Sequence, residues 1–230
     1  MHIAIIGYGR MGHAVEQQAV SRGHVVVCRI DKDTPDQWTA LITSHVDVAI
    51  DFSSPLSAEV NLQRATNAGV PVVSGTTGWD ALSWLGRYPA DCPAVLWSAN
   101  FSLGVQLFLR LNEQFARLMS PLLQYRPSIE EVHHIHKVDK PSGTAKVLSS
   151  ELARLGYTDI PISSVREGEI VGVHTVTWTS GQDLIRLTHE ATTRDAFAFG
   201  AVIAAEWLVG KRGVHTFQEV LFNDKREIVD

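Results

Sequence analysis

Three histidines, three lysines and a Pro-Ser-Gly-Thr turn lie within residues 130–146. If this segment is read as an extended strand, His133 and Lys137 lie on one face, four residues apart. An imidazole and an ammonium on one face can move protons and hold an anion. His133 and Lys137 are therefore candidate catalytic residues for a reaction on an anionic substrate.

The turn that follows offers a second way to bind an anion. Ser142 suits the N-cap of the next helix, and Gly143 and Thr144 suit its first turn. Free N–H groups and a threonine hydroxyl at a helix N-terminus form a carboxylate site. The other reading is a solvated basic strand end followed by an ordinary helix cap, and the local residues alone leave both open.

Histidines this close together also raise the question of a metal ion. Since adjacent strand residues point to opposite faces, only His134 and His136 could converge on one ion. The sequence has no cysteine cluster, His-Glu-x-x-His motif or Asp-x-Asp loop to supply further ligands. We expect no metal site.

A glycine-rich loop near the N-terminus matches the pattern Gly-x-Gly-x-x-Gly. It follows a strand-like run and opens a helix-like one, and Asp31 ends the second strand-like run, 19 residues past Gly12. This context predicts a dinucleotide site with the pyrophosphate at the helix N-terminus. The residues expected to bind there are Gly7, Tyr8, Gly9, Arg10, Met11 and Gly12.

The end of the second strand bears on the choice of cofactor. Asp31 suits the ribose hydroxyls of NADH, whereas Arg29 or Lys32 could balance the 2′-phosphate of NADPH. The choice between NADH and NADPH stays open. Two later strand-to-helix loops are further candidates for cofactor contact, unless they are merely tight turns. Their residues are Gly75, Thr76 and Thr77 in one loop, and Ser98, Ala99, Asn100 and Phe101 in the other.

Alternating strand-like and helix-like segments in the first hundred residues predict the elements that position these loops. The strands are apolar on both faces, which is typical of a parallel sheet covered by helices on both sides. We predict a Rossmann-like α/β domain over residues 1–103. The predicted strands are His2–Ile6, His24–Asp31, Val46–Phe52, Val70–Gly75 and Ala94–Asn100.

The pattern changes after about Phe101. A long helix, a strand over residues 128–137 and a helix ending at Gly156 precede three alternating strand-like runs, and Ser180-Gly181 marks a turn. This predicts an α+β substrate and oligomerisation domain over residues 104–204, with an antiparallel or mixed sheet. We expect the tail, about residues 205–230, to pack back onto the first domain.

Composition narrows the class of protein. The 230 residues are 45% hydrophobic with a formal net charge of -5, which argues against nucleic-acid binding. No run approaches the roughly 18 apolar residues of a membrane span, and we find no signal peptide. Two cysteines in apolar runs suit a reducing compartment. We expect a cytoplasmic protein.

Six segments, taken together, resemble the 4-hydroxy-tetrahydrodipicolinate reductases, formerly called dihydrodipicolinate reductases. They run in order from residue 2 to about residue 215, and the histidine-lysine block is the most specific. The segments are GYGRMG, DFSSP, SGTTGW, SANFSLGV, HHIHKVDKPSGTA and REGEIVGVHTV.

The resemblance implies NADH- or NADPH-dependent reduction of a small cyclic dicarboxylate, with loss of water, in lysine and diaminopimelate biosynthesis. It also implies that the nicotinamide delivers hydride, that His133 is the acid–base residue and that Lys137 is the proton donor. His134, Gly143 and Thr144 resemble the substrate-carboxylate contacts, and the three loops named above resemble the cofactor contacts. The family is typically tetrameric, joined through the sheet of the substrate domain, so we expect a homotetramer.

Two departures and two alternatives accompany this interpretation. The family often has a basic residue where this chain has Ser54, and the stretch between Asp31 and Val46 is compact, so cofactor preference could differ.

Another Rossmann reductase, such as a diaminopimelate or homoserine dehydrogenase, would need different substrate-domain signatures. A non-catalytic NAD(H)-sensing module would have no use for His133 and Lys137.

Overall fold

The computed structural model describes residues 1–34, 36–193 and 195–222. The strands are β1 (His2–Ile6), β2 (Val25–Ile30), β3 (Val48–Asp51), β4 (Val72–Ser74), β5 (Val95–Trp97), β6 (Arg126–His133), β7 (Ile162–Arg166), β8 (Gly172–Thr179), β9 (Leu184–Ala191) and β10 (Val214–His215). The helices are α1 (Arg10–Ser21), α2 (Gln37–Thr43), α3 (Ala58–Asn67), α4 (Ala81–Leu85), α5 (Leu103–Met119), α6 (Gly143–Arg154), α7 (Asp195–Leu208) and α8 (Phe217–Phe222).

The chain divides into two compact units. The first comprises Met1–Ser102 together with Asp195–Asp230, and the second is Leu103–Arg194. The sequence predicts the second boundary near residue 204, which leaves most of α7 in the substrate domain. That placement is wrong because α7 packs against α1 and against β3 and β4 of the first unit.

The first unit is built on a parallel sheet in the order β10-β5-β4-β3-β1-β2. Its central strands are apolar and buried, as the sequence predicted, and all four residues of β3 are buried. The predicted strands were too long at one or both ends, except for β1. Because the strands are parallel, the loops that follow β1 to β5 meet at one edge of the sheet.

The second unit has a four-stranded sheet in the order β7-β6-β8-β9. It is mixed, because β7 runs parallel to β6 while β8 runs antiparallel to both β6 and β9. Helices α5 and α6 cover one face over a core that includes Ile129, Val176 and Trp178. The opposite face carries Val173, Thr175 and Thr177, which are half-buried.

The strand predicted over residues 128–137 ends at His133 instead. Beyond it the chain turns, since the Lys137 amide donates to the carbonyl of His134. The Ile135 amide donates to the carbonyl of Gly168, so the turn is held against the segment that follows β7. His133 and Lys137 therefore do not share a strand face.

Among the described residues, no helix combines the length and the apolar character needed to cross a membrane.

Candidate active site

His133 ends β6, and its environment is set by sheet geometry. Since side chains alternate along a strand, Glu131 lies on the same face, two residues earlier. The sheet register places Arg166 of β7 beside His133 and His174 of β8 beside Glu131. Four chemically active side chains thus converge beyond the apolar core of the second unit.

Glu131 is the buried centre of this group. Its side chain is fully buried, and its two oxygens each accept a hydrogen bond of 2.9 Å from the Arg166 guanidinium. A third bond joins Glu131 to Nδ1 of His133. Burial alone would raise the pKa of Glu131, but hydrogen bonds from Arg166, Ser164 and His133 outweigh it and lower the pKa to about 2. Glu131 is therefore ionised.

The His133 imidazole is neutral at neutral pH. Burial lowers its pKa, the Glu131 carboxylate opposes that effect, and the charges of Lys137 and Arg166 add to the lowering. Because an ionised carboxylate only accepts hydrogen bonds, His133 must donate from Nδ1 to Glu131. Its Nε2 atom is then the basic nitrogen.

Lys137 lies in the turn after β6, not on the strand with His133. Its positive charge nevertheless helps to lower the pKa of His133. Its Nζ atom donates to Asp139 Oδ1 at 2.7 Å. Arg166 donates to the backbone carbonyls of Lys137 and Asp139, at 3.2 and 2.6 Å. The turn is therefore tied to the same guanidinium that holds Glu131.

The N-terminus of α6 forms the third part of the group. Ser142 is its N-cap, as predicted, since its hydroxyl accepts a hydrogen bond from the Ala145 amide at 3.2 Å. The Ser142 amide donates to Glu131 Oε1 at 3.3 Å. Gly143 and Thr144 begin the helix, and no atom beyond its chain neighbours and its own helix backbone comes within 4 Å of a Cβ placed on Gly143. That space is open for a ligand beside the amides of the first turn.

His174 supports this helix start. Its Nε2 atom lies 3.0 Å from the hydroxyl of Ser142, and its ring packs edge-on against His133 with 5.0 Å between centroids. Burial is the main reason that the pKa of His174 falls to about 4. His174 is thus a neutral partner for the N-cap.

The structure brings together most of the predicted substrate residues. His133, Ser142, Gly143 and the Lys137 turn are linked through Glu131 and Arg166 as described above. His134, also predicted, directly follows β6, and its ring lies 6.1 Å from that of His136.

The sequence interpretation missed Glu131, Arg166 and His174, as well as Gly172 of β8, which lies against the His133 ring. The two-residue spacing of Glu131 and His133 on a strand was a usable signal. The other three residues reach the site only through the register of β7 and β8, which sequence alone does not reveal.

In the first unit, the glycine-rich loop has the shape that a dinucleotide phosphate needs. A Cβ atom on Gly7 would come within 2.3 Å of the Phe52 carbonyl oxygen, and one on Gly12 within 2.4 Å of the Gly7 carbonyl oxygen. By contrast, nothing lies within 4 Å of a Cβ placed on Gly9, the N-cap of α1. Gly7 and Gly12 are thus required by packing, whereas Gly9 borders open space. The loop fits a pyrophosphate at the start of α1, where Arg10, Met11 and Gly12 form the first turn.

Asp31 follows β2 and is held in place by the backbone. The Tyr8 amide donates to its Oδ2 atom at 2.9 Å, and the Lys32 amide donates to Oδ1 at 2.7 Å. The carboxylate thus stands at the end of β2, beside the glycine-rich loop, where the acidic residue of a dinucleotide site belongs.

Arg29 is engaged by a different acid. Its guanidinium donates to both carboxylate oxygens of Glu16, which also accepts a bond from the Tyr8 hydroxyl. These bonds raise the pKa of Arg29 and lower that of Glu16. The positive charge of Arg29 is therefore already balanced within the protein.

The loop after β4 is organised by a buried acid that the sequence interpretation left out. Asp51, fully buried, accepts hydrogen bonds from the hydroxyls of Ser74 and Thr76 at 2.8 and 2.7 Å. Burial raises the pKa of Asp51, and these hydroxyls oppose the rise. Of the predicted cofactor residues here, the Thr76 hydroxyl is occupied internally, whereas Thr77 is exposed and Gly75 is half-buried.

In the loop after β5, too, some of the predicted cofactor residues are engaged within the protein and others are accessible. The Phe101 side chain is buried and packs against Phe52 and Phe217. The Ser98 hydroxyl donates to the Asn100 carbonyl at 2.9 Å. Ala99 is exposed at the tip. This loop thus offers mainly backbone to a ligand, and the Phe101 ring belongs to the core of the first unit.

Within the part of the chain that the structure describes, no group of three or more His, Cys, Asp or Glu side chains is placed to hold a metal ion.

Comparison with known protein families matches both halves of the chain. Residues 1–101 match the model described as "Dihydrodipicolinate reductase, N-terminus", and residues 104–221 match "Dihydrodipicolinate reductase, C-terminus". Together the two models span nearly the whole chain.

Curated relatives agree with the family models. A 4-hydroxy-tetrahydrodipicolinate reductase from Christiangramia forsetii is 40% identical over 96% of this chain and 98% of its own. A second, from Bdellovibrio bacteriovorus, is 37% identical over 84% of this chain and 83% of its own.

A solved structure shares the fold. It is a dipicolinate-bound dihydrodipicolinate reductase from Paenisporosarcina sp. TG-14, with a TM-score of 0.76 and 21% identity over 95% of this chain and 98% of that one.

Proposed function

The chain belongs to the 4-hydroxy-tetrahydrodipicolinate reductase family and is an oxidoreductase of lysine and diaminopimelate biosynthesis; from that premise we propose which of its residues carry the reaction. The overall change adds a hydride and a proton to 4-hydroxy-tetrahydrodipicolinate and removes water. Reduced nicotinamide supplies the hydride when it is bound. The protein must therefore hold a dicarboxylate and deliver a proton.

Lys137 is the proposed proton donor. An ammonium carries three donor hydrogens, and Lys137 Nζ uses one of them on Asp139. His133 is less suited to give a proton, because its pKa is lowered and its Nδ1 hydrogen is committed to Glu131. His133 Nε2 instead accepts a hydrogen bond or a proton during turnover. The observation that carries this assignment is that Glu131 and Arg166 bind both His133 and the Lys137 turn.

The substrate carboxylates are proposed to bind at the start of α6. The positive end of this helix and the Thr144 hydroxyl suit an anion, and Gly143 leaves the approach open. His134, directly after β6, is the additional candidate contact. The dipicolinate bound in the solved relative is a dicarboxylate of the same chemical class.

For the cofactor, we propose a preference for NADH over NADPH. Gly9 and the start of α1 hold the pyrophosphate, and Asp31 accepts hydrogen bonds from the adenosine ribose. A 2′-phosphate needs a free cation, but Arg29 is already bound to Glu16. Lys32 is exposed and is the remaining cation next to Asp31.

We further propose a cytoplasmic homotetramer joined through the face of the second sheet that α5 and α6 leave open. That face carries β-branched side chains, namely Val132, Val165, Val173, Thr175 and Thr177. Leu187 of β9 packs with the core on the other face and is not part of this surface. Sedimentation should give four chains per particle at micromolar concentration, and a monomer would contradict the proposal.

A coupled assay tests the function. The substrate is generated in situ from pyruvate and aspartate semialdehyde by its synthase, and the loss of reduced-nicotinamide absorbance is followed. Consumption should require both enzymes and should be faster with NADH. If the protein binds NADH yet consumes neither cofactor, a sensing role replaces the catalytic one.

A further inference from the structure

We propose that Glu131 and Arg166 form a positioning pair that sets the geometry of the substrate site. The pair acts through three elements: the His133 imidazole, the turn that carries Lys137, and the start of α6. The inference rests on the catalytic roles proposed above for His133 and Lys137.

Arg166 uses all of its hydrogen-bonding capacity at one place. A guanidinium has five N–H donors in a rigid, planar arrangement. In Arg166, two donate to the oxygens of Glu131, and the other three donate to the carbonyls of Lys137, Asp139 and Val165 at 2.6 to 3.2 Å. One side chain thus fastens the Lys137 turn to strands β6 and β7.

Glu131 makes the matching set of bonds as acceptor. Beyond Arg166, it accepts from Nδ1 of His133 and from the Ser142 amide that precedes α6. Because Glu131 is fully buried, water does not compete for these bonds. They therefore fix the orientation of each bonded group as well as its position. The carboxylate therefore selects the His133 tautomer that leaves Nε2 as acceptor, and it aligns the start of α6 at the same time.

A lysine could not replace Arg166. It would keep the positive charge, but its three donors lack the planar arrangement that reaches a carboxylate and three separate carbonyls. Glutamine in place of Glu131 would keep the size but lose the charge that orients the imidazole. The two substitutions therefore separate the effect of geometry from that of charge.

The first test is the tautomer of His133 in the wild-type protein, read by nitrogen NMR on histidine-labelled protein. The His133 signals are assigned by their loss in His133→Gln. The expected result is a neutral ring with hydrogen on Nδ1, and a ring with hydrogen on Nε2 would overturn the proposal. This measurement needs no turnover and no variant of the pair.

The second test uses Glu131→Gln, with Glu169→Gln as the control for an exposed carboxylate. Because the Glu131 charge raises the pKa of His133, its loss should move the His133 titration and the matching limb of the pH–rate profile to lower pH. An unmoved titration in folded Glu131→Gln would contradict the inference.

The third test uses Arg166→Lys, with the exposed, ion-paired Arg117→Lys as its matched control. Arg166→Lys should weaken dipicolinate binding at least tenfold and lower turnover, whereas the control should do neither. Wild-type dipicolinate affinity and turnover in Arg166→Lys would overturn the positioning role. A different result, full activity in Lys137→Ala and His133→Gln, would instead refute the proposed catalytic roles and leave the NMR result standing.

Discussion

Gly172 of β8 lies directly against the imidazole of His133. A Cβ atom placed on Gly172 would stand 2.9 Å from His133 Nε2 and 3.1 Å from Cδ2. Glu131 holds the opposite nitrogen of the ring, so the ring has little freedom to move aside. A residue without a side chain is therefore required at position 172 for the observed position of His133.

Gly172→Ala should consequently lower kcat/KM by about 10- to 100-fold, since small misplacements of catalytic groups have effects of that order. The added methyl group must displace Nε2, the atom assigned to the substrate side. Steady-state kinetics measure the change, and thermal unfolding checks that the fold survives. Gly181→Ala is the matched control, because nothing lies within 4 Å of a Cβ there. Equal activity of the two variants would mean that the position of His133 does not matter for turnover.

Lys137→Ala should reduce turnover by about 10²- to 10⁴-fold, the usual contribution of a general acid or base. Cofactor binding should change little, because Lys137 belongs to the second unit and the proposed dinucleotide loops belong to the first. Single-turnover kinetics and NADH fluorescence titration separate the two effects. Lys140→Ala, in the same segment but exposed, should stay near wild type. Unchanged turnover in Lys137→Ala would refute its role as proton donor.

Local patterns in the sequence predicted much of the fold. The glycine-rich loop was predictable because it lies between a strand and a helix, and packing now accounts for Gly7 and Gly12. The N-cap role of Ser142 was predictable because capping involves only neighbouring residues. Such features depend on a few adjacent positions, so they can be predicted from the sequence alone.

The errors came from contacts that are distant in sequence. The spacing in His-His-Ile-His-Lys fits a strand, but the Glu167 amide donates to the His133 carbonyl and the Gly168 carbonyl accepts from the Ile135 amide, and these bonds help to turn the chain after His133. Arg166 reaches Glu131 only because β7 is parallel to β6, an arrangement that requires the crossover through α6. The pairing of Glu16 with Arg29 likewise depends on how α1 packs beside β2. None of these contacts follows from local spacing.

Glu16→Gln should shift cofactor preference toward NADPH. The substitution removes the charge that balances Arg29, and the guanidinium then becomes available to a 2′-phosphate near the end of β2. We expect the ratio of kcat/KM for NADPH to that for NADH to rise by about tenfold, which corresponds to about 1.4 kcal/mol. Glu59→Gln, an exposed carboxylate on α3, is the control for the loss of one negative charge. An unchanged ratio would show that Arg29 does not face the adenosine ribose.

Glu151 of α6 should make the stability of the protein fall as pH rises from about 4.5 to 7. Burial raises its pKa to about 7, the charge of Glu113 adds to the rise, and Arg154 opposes it. One carboxylate oxygen is buried without a partner among the described residues.

In this pH window the folded protein keeps a proton that the unfolded chain has already released, so raising the pH favours unfolding. Glu151→Gln removes this dependence, and its stabilising effect above pH 7 is at most about 3 kcal/mol, at 1.36 kcal/mol for each pKa unit. Thermal unfolding of both proteins from pH 4.5 to 8 should therefore give curves that diverge as pH rises, while Glu169→Gln, an exposed carboxylate, stays parallel to wild type. If the curves of Glu151→Gln and wild type stayed parallel, the Glu151 carboxylate of the wild-type folded protein would already be ionised at the lower end of this pH range.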